Sequence, residues 1–207
     1  MGLTASDIAA LAVEVLAALG HGLDADELTA VRRALDLASD CHVGQQRDDG
    51  TPYMLHPLRT ALILARELGV RDAIAVCAAL LHDTLEDQCS VSLDDIRRLF
   101  GAEVASIIEA VTKPHARGRS HGEVNAIYFP RLRAADELVR TVKLADRLDN
   151  IRDLPNSQDR AKRRRMIDET RLFYMPLIDT LTDPRRREVL AGAFSQAIEV
   201  VEKMAHR

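Results

Sequence analysis

Residues 79–88 read ALLHDTLEDQ, and they set a chemical problem. The stretch before them, AIAVCAALL from Ala73 to Leu81, is almost wholly apolar, yet His82, Asp83, Glu86 and Asp87 follow within six positions. Such groups left dry and unpaired cost several kcal/mol each, so solvent, a basic partner or a metal ion has to compensate them. On a helix over about residues 71–86, His82 and Glu86 stack four apart, as do Asp83 and Asp87, in neighbouring rows. Adjacent His82 and Asp83 differ by about 100° around the axis. Both face one ion only if it lies between their directions or if the helix is ending there.

Two further polar intrusions accompany this one. In VRTVKLADRLDNIRDL, an apolar stripe of Val142, Leu144, Ala145, Leu148 and Ile151 runs beside Asp146, with Asn150 one turn further on the same side. In YMLHPL, His56 precedes Pro57 at the start of a helix whose inward face is Leu58, Ala61, Leu62 and Ala65. Singly, a buried histidine is a hydrogen-bonded core residue and an aspartate a cap. Together, imidazoles and carboxylates in apolar settings suit Mn, Fe, Co or Zn and hydrolytic chemistry.

The elements that must position these residues are helical throughout, because no segment sustains strand-type alternation. The pattern predicts an all-α single domain. Its helices fall at 4–19 (capped by Thr4 or Ser6 and stopped by Gly20 and Gly22), 26–42, 57–68 and 71–86. A short helix follows Ser92, with Asp95 three residues on and Gly101 as its stop. Further helices are predicted over 103–112, 131–151, 158–181 and 184–205, with a polar loop at GQQRDDGTPY and a flexible one at KPHARGRSHGEVN.

Composition narrows the function classes. The 207 residues are 47% apolar and only 3% aromatic, with no Trp, a mix suited to close helix packing. Net charge is −4 and the pI about 6.0, against a general nucleic-acid binder, for which a basic excess is usual. The N-terminus lacks a positively charged region, and no apolar run approaches the length of a membrane span. A soluble, cytoplasmic protein without membrane or nucleic-acid partners is expected. Cys41, Cys77 and Cys89 show no metal-binding spacing, and their odd number suggests thiols rather than a disulfide framework. RAKRRRM, residues 160–166, reads as a solvated basic face, and His115 with His121 in the flexible loop makes a poor preformed metal site.

His56, the His82–Asp83 pair and Asp146 together resemble the H…HD…D signature of HD-domain metal-dependent phosphohydrolases. GTPYMLHPL, LLHDTLED and VKLADRLDN, extended by ETRLFYMPL near residue 170, are similar to the alarmone hydrolase domain of the Rel/SpoT group over roughly residues 30 to 180. In length the chain resembles the stand-alone small alarmone hydrolases. This divides it into a helical extension at 1–25 and a hydrolase domain at 26–207.

The resemblance implies one Mn²⁺ held by His56, His82, Asp83 and Asp146. The substrate would be a purine nucleotide with a 3′-pyrophosphate, (p)ppGpp or (p)ppApp, and the products GDP or GTP and pyrophosphate in the guanine case. Glu86 and Asp87 would share water orientation and proton transfer, and Arg47 and Asn150 would contact the nucleotide. Asp48 stands where the family often has a second basic residue, and Asp149 where many relatives carry His or Tyr. Tyr53 lines the pocket or packs on the core. Arg131 binds phosphate or starts a solvated helix, and Lys143 faces phosphates or covers the surface. The alternatives are another HD phosphohydrolase, acting on 5′-nucleotides or dNTPs, and a non-catalytic alarmone-binding module.

Overall fold

The computed structural model describes residues 5–85 and 89–205. Among these, α1 spans Ala5–Leu19, α2 Ala25–Cys41, α3 Leu55–Leu62, α4 Ala73–Leu81, α5 Leu93–Phe100 and α6 Ala102–Val111. There follow α7 at His121–Ala134, α8 at Glu137–Asp153, α9 at Arg160–Glu169, α10 at Met175–Ile178 and α11 at Pro184–Ala205. The described residues contain no β-strand, only one isolated bridge between Gln46 and Pro52. The all-α reading therefore holds, and no helix among the described residues is long and apolar enough to cross a membrane.

The apolar run AIAVCAALL becomes α4, with Ala73, Ala75 and every residue from Val76 to Leu81 buried. A helix that is hydrophobic all round must be covered on all sides, and α4 packs against α2, α3, α6 and α8. Its alanines let those neighbours approach closely, and Asp72 caps its start by accepting from the Ala75 N–H. The N-terminal α1 feeds Val15 and Leu19 into the same core and packs against α3. Capping boxes fix three helix starts: Asp24 with Glu27, Ser92 with Asp95, and Ser120 with Glu123. Gly69, at φ +65°, lets the chain turn after the helix containing Pro57, in a conformation a side chain resists.

Several boundaries differ from the sequence expectation. The helix expected to 86 stops at Leu81, because His82 Nδ1 donates to Ala79 O at 2.7 Å and Thr84 Oγ1 donates to Leu81 O at 2.7 Å. Side chains and a turn thus satisfy the terminal carbonyls in place of continued helix, and Glu86 lies outside the described residues. The helix expected at 131–151 is two helices, separated where Ala135 takes an extended backbone. The flexible loop expected through Asn125 ends at Ser120, whose capping box starts α7. The segment 158–181 is divided by a π-helical turn at Thr170–Tyr174, and a second such turn, Ile63–Glu67, follows α3. Ser6 lies inside α1 rather than capping it, and Thr4 lies outside the described residues.

The cysteine expectation is corrected as well. Cys41 and Cys89 form a disulfide with Cα atoms 5.0 Å apart, across 48 residues of sequence. Cys77 alone is a free, buried thiol, and burial pushes it up to about 12. The odd count hid a pair that only folding brings together.

Candidate active site

Three elements deliver the polar intrusions to one place. A turn closed by the His56 N–H on Tyr53 O, at 2.9 Å, starts α3 and buries the His56 ring completely. The end of α4 supplies His82 and Asp83, and the middle of α8 supplies Asp146 from the edge of its apolar stripe. His56 Nε2 lies 3.2 Å from His82 Nε2, 3.2 Å from Asp146 Oδ1 and 3.5 Å from Asp83 Oδ2. His82 Nε2 lies 3.2 Å from Asp83 Oδ2 and 3.5 Å from Asp146 Oδ1.

The donor set fits a divalent ion. One ligand atom each from His56, His82 and Asp83 falls within a 4.8 Å cluster, and Asp146 Oδ1 adjoins both rings. Each Nδ1 is engaged on the far side, His82 with the Ala79 carbonyl and His56 with Asp149 Oδ2 at 2.6 Å. Carbonyl and carboxylate oxygens only accept, so each Nδ1 carries the donated proton, and Nε2 is the nitrogen of each ring that faces the cluster, able to ligate an ion once its own proton is given up. Two carboxylates in so buried a place demand positive charge between them, and two imidazole nitrogens with two carboxylate oxygens suit a first-row divalent metal.

The surroundings hold these groups in ligand form. Burial alone would raise Asp146, but Lys143, its Nζ 2.8 Å from Oδ2, and His82 hold the carboxyl well below its usual range. Burial likewise opposes ionisation of Asp83, and the positive charge that the His82 and His56 rings carry beside these carboxylates overrides it, a charge that a bound cation would replace. Burial would lower Lys143, yet Asp146 keeps it charged, well above its ordinary value. Tyr53 donates to Asp83 Oδ2 at 2.6 Å and fixes the most exposed of the four candidate ligands.

A cavity of about 170 Å³ adjoins the cluster, lined among others by Arg47, Asp48, Tyr53, Asn150, Ser157 and Lys162. Asn150 bridges the two regions, donating to Asp146 Oδ1 at 2.6 Å and accepting from Arg47 at 3.0 Å. Arg47 is braced by Asp153 at 2.6 Å. Asp48 accepts from Ser157 and from Lys162 Nζ, both at 2.7 Å. The cavity thus carries a second cation after all, drawn from the basic run that the sequence reading left to solvent. The Asp48 carboxylate was its one local trace.

The structure therefore gathers His56, His82, Asp83 and Asp146, with Tyr53, Lys143, Asn150 and Arg47 around them. Lys143 points at the Asp146 carboxylate instead of covering the surface. Arg131 stands apart, exposed and donating to Glu109 O at 3.0 Å, so it is not brought to this cluster. Glu86 and Asp87 lie outside the described residues. Asp149 is buried behind His56.

Two helices and the turn at a third helix's end, presenting a His–(His-Asp)–Asp set, define a class, and comparison with known families agrees. An HD-domain model matches residues 34–181, and the chain belongs to the HD-domain family. It is 40% identical over 152 residues to guanosine-3′,5′-bis(diphosphate) 3′-pyrophosphohydrolase of Aquifex aeolicus, covering 73% of this chain and 21% of that protein. With the bifunctional (p)ppGpp synthase/hydrolase SpoT of Escherichia coli K12 it shares 39% identity over 163 residues, 77% of this chain and 23% of that one. The chain spans about a fifth of the length of these curated relatives. Among solved structures, a metazoan ortholog of SpoT that hydrolyses ppGpp is 27% identical, with a TM-score of 0.68, covering 81% of this chain and 94% of that one.

Proposed function

We propose that residues 26–207 form a hydrolase domain, with 1–25 as an extension, that removes the 3′-pyrophosphate of purine nucleotide alarmones. (p)ppGpp would give GDP or GTP and pyrophosphate, with one Mn²⁺ held by His56, His82, Asp83 and Asp146. The observation that carries this reading is the buried His₂Asp₂ cluster joined through Asn150 to a cavity with two cations. The activities for which the Aquifex relative and the metazoan ortholog are named support the same substrate class.

A divalent ion in such a donor set supplies phosphoryl polarisation and a nucleophile near neutral pH. The residues of this chain do the rest. Arg47 and Lys162, paired in the cavity with Asp153 and Asp48, would turn their charge to the phosphates of an entering nucleotide. The Asn150 amide both donates and accepts and so suits a nucleotide edge. Tyr53 and Lys143 hold Asp83 and Asp146 in their ligand directions. Water bonds to the phosphorus attached to ribose O3′ as the P–O3′ bond breaks. Glu86 and Asp87 together take the proton from water and return one to O3′, so the nucleotide leaves with a free 3′-hydroxyl.

The test is pyrophosphate release from ppGpp, ppApp and dGTP in parallel, with Mn²⁺ or with EDTA. Release from a 3′-pyrophosphate nucleotide that needs Mn²⁺ and disappears in Asp83→Ala is expected, and the adenine substrate reads out base preference. Activity confined to dGTP would replace the reading with another HD phosphohydrolase. Tight ppGpp binding without turnover would replace it with a sequestering module.

A further inference from the structure

The two histidines of the cluster are held differently from behind. His82 leans on a backbone carbonyl, whereas His56 leans on a buried carboxylate, Asp149, whose side chain is 3% exposed. Asp149 is gripped in turn by Arg59, with Nε 2.6 Å from Oδ1 and a terminal nitrogen 3.2 Å from Oδ2. Arg59 reaches Asp153 at 3.5 Å, and Asp153 accepts from Arg47 at 2.6 Å. Arg47 donates to Asn150, which donates to Asp146. The chain of hydrogen bonds leaves one candidate ligand, His56, and returns to another, Asp146, through three residues that line the cavity, Asp153, Arg47 and Asn150. Two guanidinium groups balance the two outer carboxylates, so Asp149 is neutralised by Arg59 while its Oδ2 still faces the imidazole.

We infer that Asp149 is a positioning residue for the metal centre: it fixes His56 with the proton on Nδ1 and the Nε2 lone pair directed at the ion. The inference rests on the reading of His56 as a metal ligand and is independent of which nucleotide is hydrolysed. Outer partners of this kind typically change metal affinity 10- to 100-fold. An amide in place of the carboxylate can turn its NH₂ toward Nδ1 and favour the opposite tautomer, with the proton on the ligating nitrogen. A residue that merely pinned α3 to α8 through Arg59 would affect stability and leave metal affinity alone.

The experiment is calorimetric titration of Mn²⁺ into the wild type, Asp149→Asn, Arg59→Gln and the double variant, with thermal melts of each. Asp149→Asn is expected to weaken Mn²⁺ binding by about 10- to 100-fold. Arg59→Gln, which leaves the carboxylate on His56, should weaken it less, and the double variant should match Asp149→Asn. If Asp149→Asn fails to fold, the double variant carries the test, because it also removes the guanidinium that would be stranded. Unchanged affinity in the variants lacking Asp149 overturns the inference, as does an equal loss in Arg59→Gln. A wild type that binds Mn²⁺ without turning over ppGpp, together with weakened Mn²⁺ binding in Asp149→Asn, supports the role of Asp149 and sinks the alarmone reading. A wild type that binds no Mn²⁺ overturns both.

Discussion

Arg47–Asp153 and Arg171–Glu202 are the same chemistry in different surroundings. The first pair sits beside the cluster, with side chains 9% and 14% exposed; the second joins the π-helical turn after α9 to α11, with side chains 52% and 44% exposed. Around the first, nearly every polar atom is committed to a neighbour in a chain of contacts that runs through α3 and α8. Around the second, water can replace either partner. Buried pairs are strongly felt when one member is removed, while exposed pairs contribute little. The charged residues of this protein therefore divide into a network that fixes geometry and a face exposed to water.

Substitutions can test that division, beginning with the largest effect. Asp146→Ala removes an oxygen from the cluster and the partner of both Lys143 and Asn150. Mn²⁺ affinity should fall by more than the roughly 100-fold upper range for outer partners, and activity with it; titration and a turnover assay check both.

Next comes Glu169, whose carboxylate pairs with Lys113 at 2.6 Å and Arg147 at 2.9 Å. Burial would raise it, but Arg147 and Lys113 hold it below its usual range. Glu169→Gln should cost about 3 kcal/mol at pH 7 in denaturant unfolding. Because the folded carboxyl is the stronger acid, its contribution is complete above the ordinary glutamate range and disappears as pH falls through the lowered value. The gap between wild type and variant should therefore close below about pH 4. A gap that does not change with pH would place the pair in the solvated class.

Loss of the Cys41–Cys89 bridge, by reductant or by Cys41→Ser, should cost about 2–4 kcal/mol from the loop it closes. The same unfolding curves, taken with and without reductant, measure it. Arg171→Ala closes the series, with a change of less than about 1 kcal/mol. A larger loss would extend the geometry-fixing network to the α9–α11 face.

The sequence disclosed what depends on near neighbours. AIAVCAALL could only be a buried helix, Ser92 with Asp95 could only start one, and His56, His82–Asp83 and Asp146 stood out because each broke an apolar pattern. What it concealed depends on contacts across the chain. Asp149 meets His56 over 93 residues, Asp48 meets Lys162 over 114, and Cys41 meets Cys89 over 48. One omission was local and avoidable: SHGE at residues 120–123 is a capping box, and Ser120 begins α7 where a loop was expected. The early end of α4 was not legible, since it depends on side chains turning back onto the helix's own last carbonyls.

The Cys41–Cys89 bond makes residues 41–89 a covalent ring. Arg47, Tyr53, His56, His82 and Asp83 all belong to that ring, while Lys143, Asp146 and Asn150 press on it from α8. A protease that cuts once in the exposed stretch around Asp48–Gly50 would open the ring without dividing the molecule. The nicked protein would keep its mass on a non-reducing gel and separate into two fragments only when thiol is added, so its integrity has to be judged under both conditions.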